Sequence, residues 1–194
     1  MTVPRGPEHA LREMWRTAVE AALPEACLPG HWPAAPTGRL AVIACGKAAV
    51  PMATAAAAHY GRDCEGIVIQ PADPAGSPAA IPGFRHYRAP HPIPDERSVV
   101  AGCAALDLAS ALAADDLLLV LLSGGGSALM SLPARGVTLA EKQALSRRLL
   151  ACGASIREIN CIRRQLSRIK GGRLAQASGA PVVTLAISDV PGDD

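Results

Sequence analysis

The chain predicts an α/β domain, a three-layer α/β/α fold on a mostly parallel sheet, and three observations carry that expectation. Short aliphatic runs alternate with helical stretches of ten or so residues. The run from Leu117 to Leu122 is apolar without alternation, as a strand buried on both faces must be. Polar or glycine-rich turns follow the runs, where open parallel sheets gather ligands.

The elements follow in order. His9 to Leu23 spaces Leu11, Met14, Trp15, Ala18, Val19 and Ala22 for one face of an amphipathic helix, stopped near Pro24. RLAVIACGKAAVPMATAAAAHYG (39–61) reads as a strand, a tight glycine turn and a helix from about Lys47 to Tyr60, closed by Gly61. GIVIQP (66–71) is a second strand, a loop rich in Pro and Gly follows, and a third strand is expected around Phe84 to Arg88. An acidic helix start at Asp95 and Glu96 opens a helix to about Ala113. The 117–122 run is then the expected central strand. Helices near Thr138 to Cys152, opening on a TLAE capping box, and Ser155 to Ser167 follow, then a short helix around Gly172 to Ser178 and the strand PVVTLAISDV (181–190).

Length and composition limit the function. A chain of 194 residues, 49% hydrophobic, fills one main domain. With 2 Trp, 2 Tyr and 1 Phe its core is aliphatic and offers few platforms for stacking bases, and a net charge of +2 gives little field for a polyanion. Partners are therefore expected to be small molecules, with no nucleic acid and no membrane; oligomeric state is left open. The 6 cysteines form no C-x-x-C pair, which fits free thiols in a reducing compartment. Charges at Arg5, Glu8, Arg12, Glu13 and Arg16 interrupt any signal-peptide core, and the longest aliphatic run is far short of the about 20 residues a bilayer needs, so a cytoplasmic location is expected.

Four stretches should converge at the carboxyl ends of the strands: CGK (45–47), PHPIPDE (90–96), SGGGS (123–127) and SDVPGDD (188–194). Glycines remove side chains and allow positive φ, so successive N–H groups of Gly124, Gly125 and Gly126, flanked by Ser123 and Ser127, can turn into one concavity and bind an anion. A helix starting near Ser127 would add its positive end; the alternative is a tight strand-to-helix turn where glycine only relieves crowding. The loop is neither G-x-G-x-x-G nor a Walker A sequence, because no Gly-Lys-Ser/Thr follows. Lys47 stands at a helix entrance, where the dipole favours anions, so either a ligand supplies negative charge or the lysine is solvated. Asp189, Asp193 and Asp194 crowd a strand end, where carboxylates hold magnesium, accept a proton or simply form a turn; Asp189 is the most rigidly placed. His91 sits in a proline-stiffened loop and suits a hydroxyl or carboxylate, while Asp95 suits a helix cap. Lys170, beside Gly171 and Gly172, can reach an anion, whereas the neighbouring arginines read as a solvated basic face.

GKAA (46–49), HPIPDERS (91–98), LLSGGGSAL (121–129), INCIRRQLSRIKGGRLA (159–175) and ISDVPGDD (187–194), in this order, resemble the type II glycerate kinases, the glycerate 2-kinases with a C-terminal MOFRL domain. Members also carry the label hydroxypyruvate reductase. The resemblance implies ATP-dependent, magnesium-assisted phosphorylation of D-glycerate to 2-phosphoglycerate in a cleft between a Rossmann-like N-terminal domain and a smaller C-terminal one. By motif it makes Lys47 the catalytic lysine, Asp189 the acidic catalytic residue and Ser123 to Ser127 the ATP phosphate loop; read chemically beside it, Asp189 takes magnesium, with Asp193, or accepts the proton, and His91 and Lys170 orient the carboxylate or hydroxyls of the substrate. The sequence departs from many relatives at Gln165, where they carry histidine. Residues 1–194 correspond to the N-terminal domain, read as truncated, with the MOFRL domain absent and this fragment expected to be inactive alone. A nicotinamide-dependent hydroxypyruvate reductase and a non-catalytic nucleotide- or phosphate-binding domain are the rival readings.

Overall fold

A computed structural model describes residues 6–72 and 80–188. The chain runs through α1 (Pro7–Ala21), α2 (Pro24–Cys27), β1 (Leu40–Cys45), α3 (Ala49–Tyr60), β2 (Cys64–Pro71), β3 (Phe84–Ala89) and α4 (Glu96–Ser110). It continues through β4 (Leu117–Ser123), α5 (Gly126–Leu129), α6 (Leu139–Ala151), α7 (Ile156–Gln165), α8 (Arg173–Gln176) and β5 (Val182–Ile187). The five strands form one sheet in the order β3-β2-β1-β4-β5, and every pair is parallel.

Strand periodicity divides the interior into two cores. Ala41, Ile43 and Cys45 of β1 join Ile67, Ile69, Leu118 and Val120 on one face, beneath the alanine stripe Ala101, Ala105 and Ala109 of α4. Val42 and Ala44 join Val68, Leu119 and Leu121 on the other, beneath Met52, Ala53 and Ala56 of α3. Small residues on both helices let them lie close to the sheet, and three layers result.

Local capping follows the sequence. Asp95 caps α4, accepting from the Arg97 amide at 2.9 Å, while the Asp95 amide donates to Ser98 Oγ at 3.2 Å. Thr138 with Glu141 starts α6, and Ser155 with Glu158 starts α7, each as a full capping box.

Three expectations are corrected. The middle strand is β1, and β4 lies one place off centre; β4 is apolar from Leu117 to Leu122 because β1 and β5 flank it and both faces are covered over most of its length. The first βα helix begins at Ala49 rather than Lys47, because positive φ at Gly46 (133°) prolongs the turn. The stripe of α1 finds no cover: α1 contributes no buried residue, and Trp15 is 71% exposed. No described helix is long and apolar enough to cross a membrane.

Candidate anion-binding active site

The two central loops leave the sheet in opposite directions. After β1 the chain enters α3 on one face; after neighbouring β4 it enters α5, whose Leu129 belongs to the other core. Loops that diverge from adjacent parallel strands open a crevice at the strand ends, where doubly wound sheets hold ligands.

Hydrogen bonds lock the two loops together. The Lys47 amide donates to the Gly124 carbonyl at 2.9 Å, and the Ala48 amide donates to Ser123 Oγ at 2.9 Å. Gly46 has no room for a side chain: a Cβ there would run into Ser123. Ser123 therefore serves as a brace, its oxygen engaged by the backbone of the neighbouring turn.

Gly125 is the contact point of the site. It takes left-handed φ of 88°, and a Cβ built on it would stand 3.1 Å from His91 Cδ2 and 3.7 Å from Lys47 Cγ. One glycine thus lets an imidazole and a lysine stem close on the loop from two sides. Gly126 abuts the Cys45 thiol, a Cβ there lying 3.4 Å from Sγ. The expected helix after the loop is only the single turn of α5, so its macrodipole is small; what remains are the first amides, at Gly126 and Ser127, which have no acceptor within the turn.

The crevice widens into a groove of about 740 Å³, walled by the glycine loop, His91, Leu122, Asn160, Lys170 and Ile187, with Ser188 at its edge. Of the sequence-assigned residues, His91, Ser123, Gly124, Gly125, Gly126, Ser127 and Lys170 line this groove, and Lys47 adjoins the glycine loop, its amide on Gly124 and its stem beside Gly125. Asp189, Asp193 and Asp194 lie outside the described residues. Asp95 does not join the site: besides capping α4 it pairs with Arg97 at 2.9 Å.

The floor beside the loop is cationic. Lys170 Nζ donates to the Met130 carbonyl at 3.4 Å, and Lys142 Nζ, on α6, donates to the Leu166 carbonyl at 3.2 Å. Burial, reinforced by repulsion from Arg163 and, for Lys142, from Lys170, lowers each lysine to about 8. Burial raises the Cys45 thiol to about 12 against the opposing pull of Lys170, so Cys45 is a neutral wall rather than a nucleophile. Sequence reasoning missed Lys142. The available signal was its helical spacing with Ser146 and Leu149, which with Lys142 make up the buried face of α6.

The glycine loop, Lys47 and His91 meet at the β1/β4 seam. The chain belongs to the family described as "Domain of unknown function (DUF4147)", which matches residues 10–194. This DUF4147 chain is 48% identical over 162 residues to a putative hydroxypyruvate reductase of Agrobacterium vitis, covering 81% of this chain and 40% of that protein. It is 41% identical over 183 residues to the D-glycerate 2-kinase of Thermotoga maritima, covering 93% of this chain and 43% of that one. Its fold matches the crystal structure of a Thermotoga maritima glycerate kinase with a TM-score of 0.85 at 40% identity, over 97% of this chain and 46% of that one. The chain spans less than half the length of these relatives.

Proposed function

We propose that this domain forms the phosphate-handling part of an ATP-dependent D-glycerate 2-kinase, converting D-glycerate to 2-phosphoglycerate in the longer protein. The observation that carries this reading is the packing of Lys47 and His91 against Gly125, which puts a cation and a hydrogen-bonding ring beside a side-chain-free loop. The names of the glycerate kinase relatives support it.

The loop suits a nucleotide's phosphates. Gly124 to Gly126 carry no side chains to screen their backbone from an anion, and the adjoining groove has the volume for a nucleotide. The magnesium donors assigned in the sequence, Asp189 and Asp193, lie outside the described residues; among the described residues no group of three or more His, Cys, Asp or Glu gathers to hold a metal ion. ATP supplies the phosphoryl group, and magnesium, when bound, supplies further charge neutralisation.

In the reaction the 2-hydroxyl oxygen of glycerate bonds to the γ-phosphorus, the bond to the bridging oxygen breaks, and ADP leaves. Lys47 holds positive charge beside the transferring group, where negative charge is spread over the phosphoryl oxygens. The loop amides fix the phosphates, and His91 and Lys170 orient the acceptor. The hydroxyl proton passes to Asp189. Such positioning is the main demand of phosphoryl transfer, since the chemistry needs no covalent enzyme intermediate.

Calorimetric titration with ATP tests the reading. ATP should bind one to one, and Lys47→Ala should weaken binding by about tenfold or more, as expected for losing a charge-assisted contact. Lys47-dependent binding of NADH with no binding of ATP would replace the kinase by the reductase alternative.

A further inference from the structure

We propose that Lys142, Arg163 and Lys170, with the hydroxyl of Ser131, form a dedicated seat for the carboxylate of a small 2-hydroxy acid beside the glycine loop. The proposal deepens the kinase reading and rests on it for the identity of the acid.

A small cavity lies between the loop after β3 and helices α6 and α7. Its walls include Pro92, Ser127, Ser131, Lys142, Arg163 and Lys170, and its interior space is about 20 Å³. That is room on the scale of one or two water molecules, the size of a carboxylate head and too little for a nucleotide's phosphate chain. Ser127, Arg163 and Lys170 also line the groove, so the cavity is a side pocket of the site rather than a separate one.

Its chemistry lacks one sign of charge. Three cations face it, and no carboxylate among the described residues lines it. Lys142 is only 6% exposed. Each ammonium has three N–H donors, and the carbonyl partners, Leu166 for Lys142 and Met130 for Lys170, engage one each. Ser131 is fully buried, and its hydroxyl has no hydrogen-bond partner among the described residues. Gathering desolvated like charges beside an unsatisfied hydroxyl is costly, and an anion accepting from all of them removes that cost. A planar carboxylate, with about four lone-pair directions, matches several converging donors, and the Arg163 fork suits it geometrically.

The seat is held rigidly. Ser167 Oγ accepts from the amides of Ile169 and Lys170 at 3.3 and 3.2 Å, and the Arg168 amide donates to the Leu132 carbonyl at 3.0 Å. Lys170 is thereby tied to the segment that carries Ser131. A carboxylate held there would leave the acid's hydroxyl carbons on the groove side, toward the loop.

Calorimetry on the 194-residue chain tests this, with D-glycerate, glycerol, inorganic phosphate and ATP as separate titrants. Glycerate should bind saturably, with ATP absent or present. Lys142→Met should weaken glycerate by about tenfold or more and Ser131→Ala by less, while ATP affinity stays within about twofold. Glycerol, which keeps the hydroxyls and lacks the carboxylate, should not compete. Without ligand, Lys142→Met should melt at the same temperature as the parent or higher; a lysine retained only for its bond to Leu166 would instead lower it. Four results would each overturn the proposal: no saturable glycerate binding, unchanged glycerate affinity in Lys142→Met, competition by glycerol, or phosphate binding that depends on Lys142 and that glycerate does not displace. Failure of the kinase reading is distinguishable, because it appears as missing Lys47-dependent ATP binding and leaves the glycerate titration intact.

Discussion

The two flanks of the sheet, divided at the seam between β1 and β4, are built to different standards. On the β1–β2 side all six residues of β1 are buried, and Met52, Ala53 and Ala56 of α3 are fully covered. On the β4–β5 side no residue of β5 is fully buried, the neighbouring helices carry buried or half-buried cations, and the groove opens. The Gly46–Lys47 turn is held from both flanks, by Ile69 on the closed side and by Ser123 and Gly124 on the open side; the open flank also keeps space and charge for a ligand. Truncation on the two sides should therefore cost different amounts. Ile43→Ala should destabilise by about 2–5 kcal/mol, the range for a large-to-small change in a core that relaxes little, whereas Leu185→Ala on β5 should cost about 1 kcal/mol. Urea denaturation measures both, and equal losses would erase the distinction.

The flanks should also differ in their response to pH. Lys142 and Lys170, on the open side, fall from 10.5 to about 8, first through burial and then through like charges that include Arg163. In the unfolded chain each lysine keeps its proton up to its ordinary value, so between about 8 and 10.5 the unfolded state binds more protons and stability rises with pH. The destabilisation is complete below 8. Cys45 and Cys64 behave oppositely: burial lifts them from 9.0 to about 12 and about 11, so the folded state keeps protons that the unfolded state loses. Their stabilisation is present below 9.0 and is lost as pH rises toward those values. The urea midpoint should accordingly be level below about pH 8, rise from about 8 to 9 and flatten or turn down above that. The rise should vanish in the double variant Lys142→Met with Lys170→Met. A midpoint that already falls between pH 8 and 9 in the parent would show that the lysines do not dominate this range.

The closed flank was the more legible in sequence, for a physical reason. The aliphatic runs that became β1, β2 and β4 and the alanine-rich stretch that became α3 report burial directly, because apolar side chains leave water wherever they can. The convergence of Lys47, His91 and the glycine loop followed from a general property of parallel sheets, so these residues could be assigned together before their contacts were known. Lys142 was hidden because residue type argued for solvent, and only tertiary packing of α6 against the 163–170 region desolvates it. Arg163 was assigned to a solvated basic face for the same reason, yet it lines the cavity. The helix expected near Ser127 starts at Gly126 and lasts one turn, a length that a glycine-initiated turn does not encode.

The smallest effect is expected at α1, where the pattern in the sequence and the packing in the structure disagree. Leu11, Met14 and Trp15 are spaced as a buried stripe, yet they are 65%, 68% and 71% exposed, and the principal neighbour of α1 is the four-residue helix α2. Helical periodicity reports that one face is apolar and says nothing of what covers it. What favours α1 locally is modest: Glu8 pairs with Arg12 at 2.9 Å and Glu13 with Arg16 at 3.0 Å, exposed contacts of a kind worth about 0.3–0.5 kcal/mol each. Replacing Leu11, Met14 and Trp15 by Gln removes little buried surface from this chain and keeps helix propensity nearly constant, so each change should alter unfolding free energy by less than about 0.5 kcal/mol. A loss well above that, together with a sedimentation coefficient that falls on dilution, would mean that a second copy covers the stripe in solution and that the closed flank extends beyond one chain.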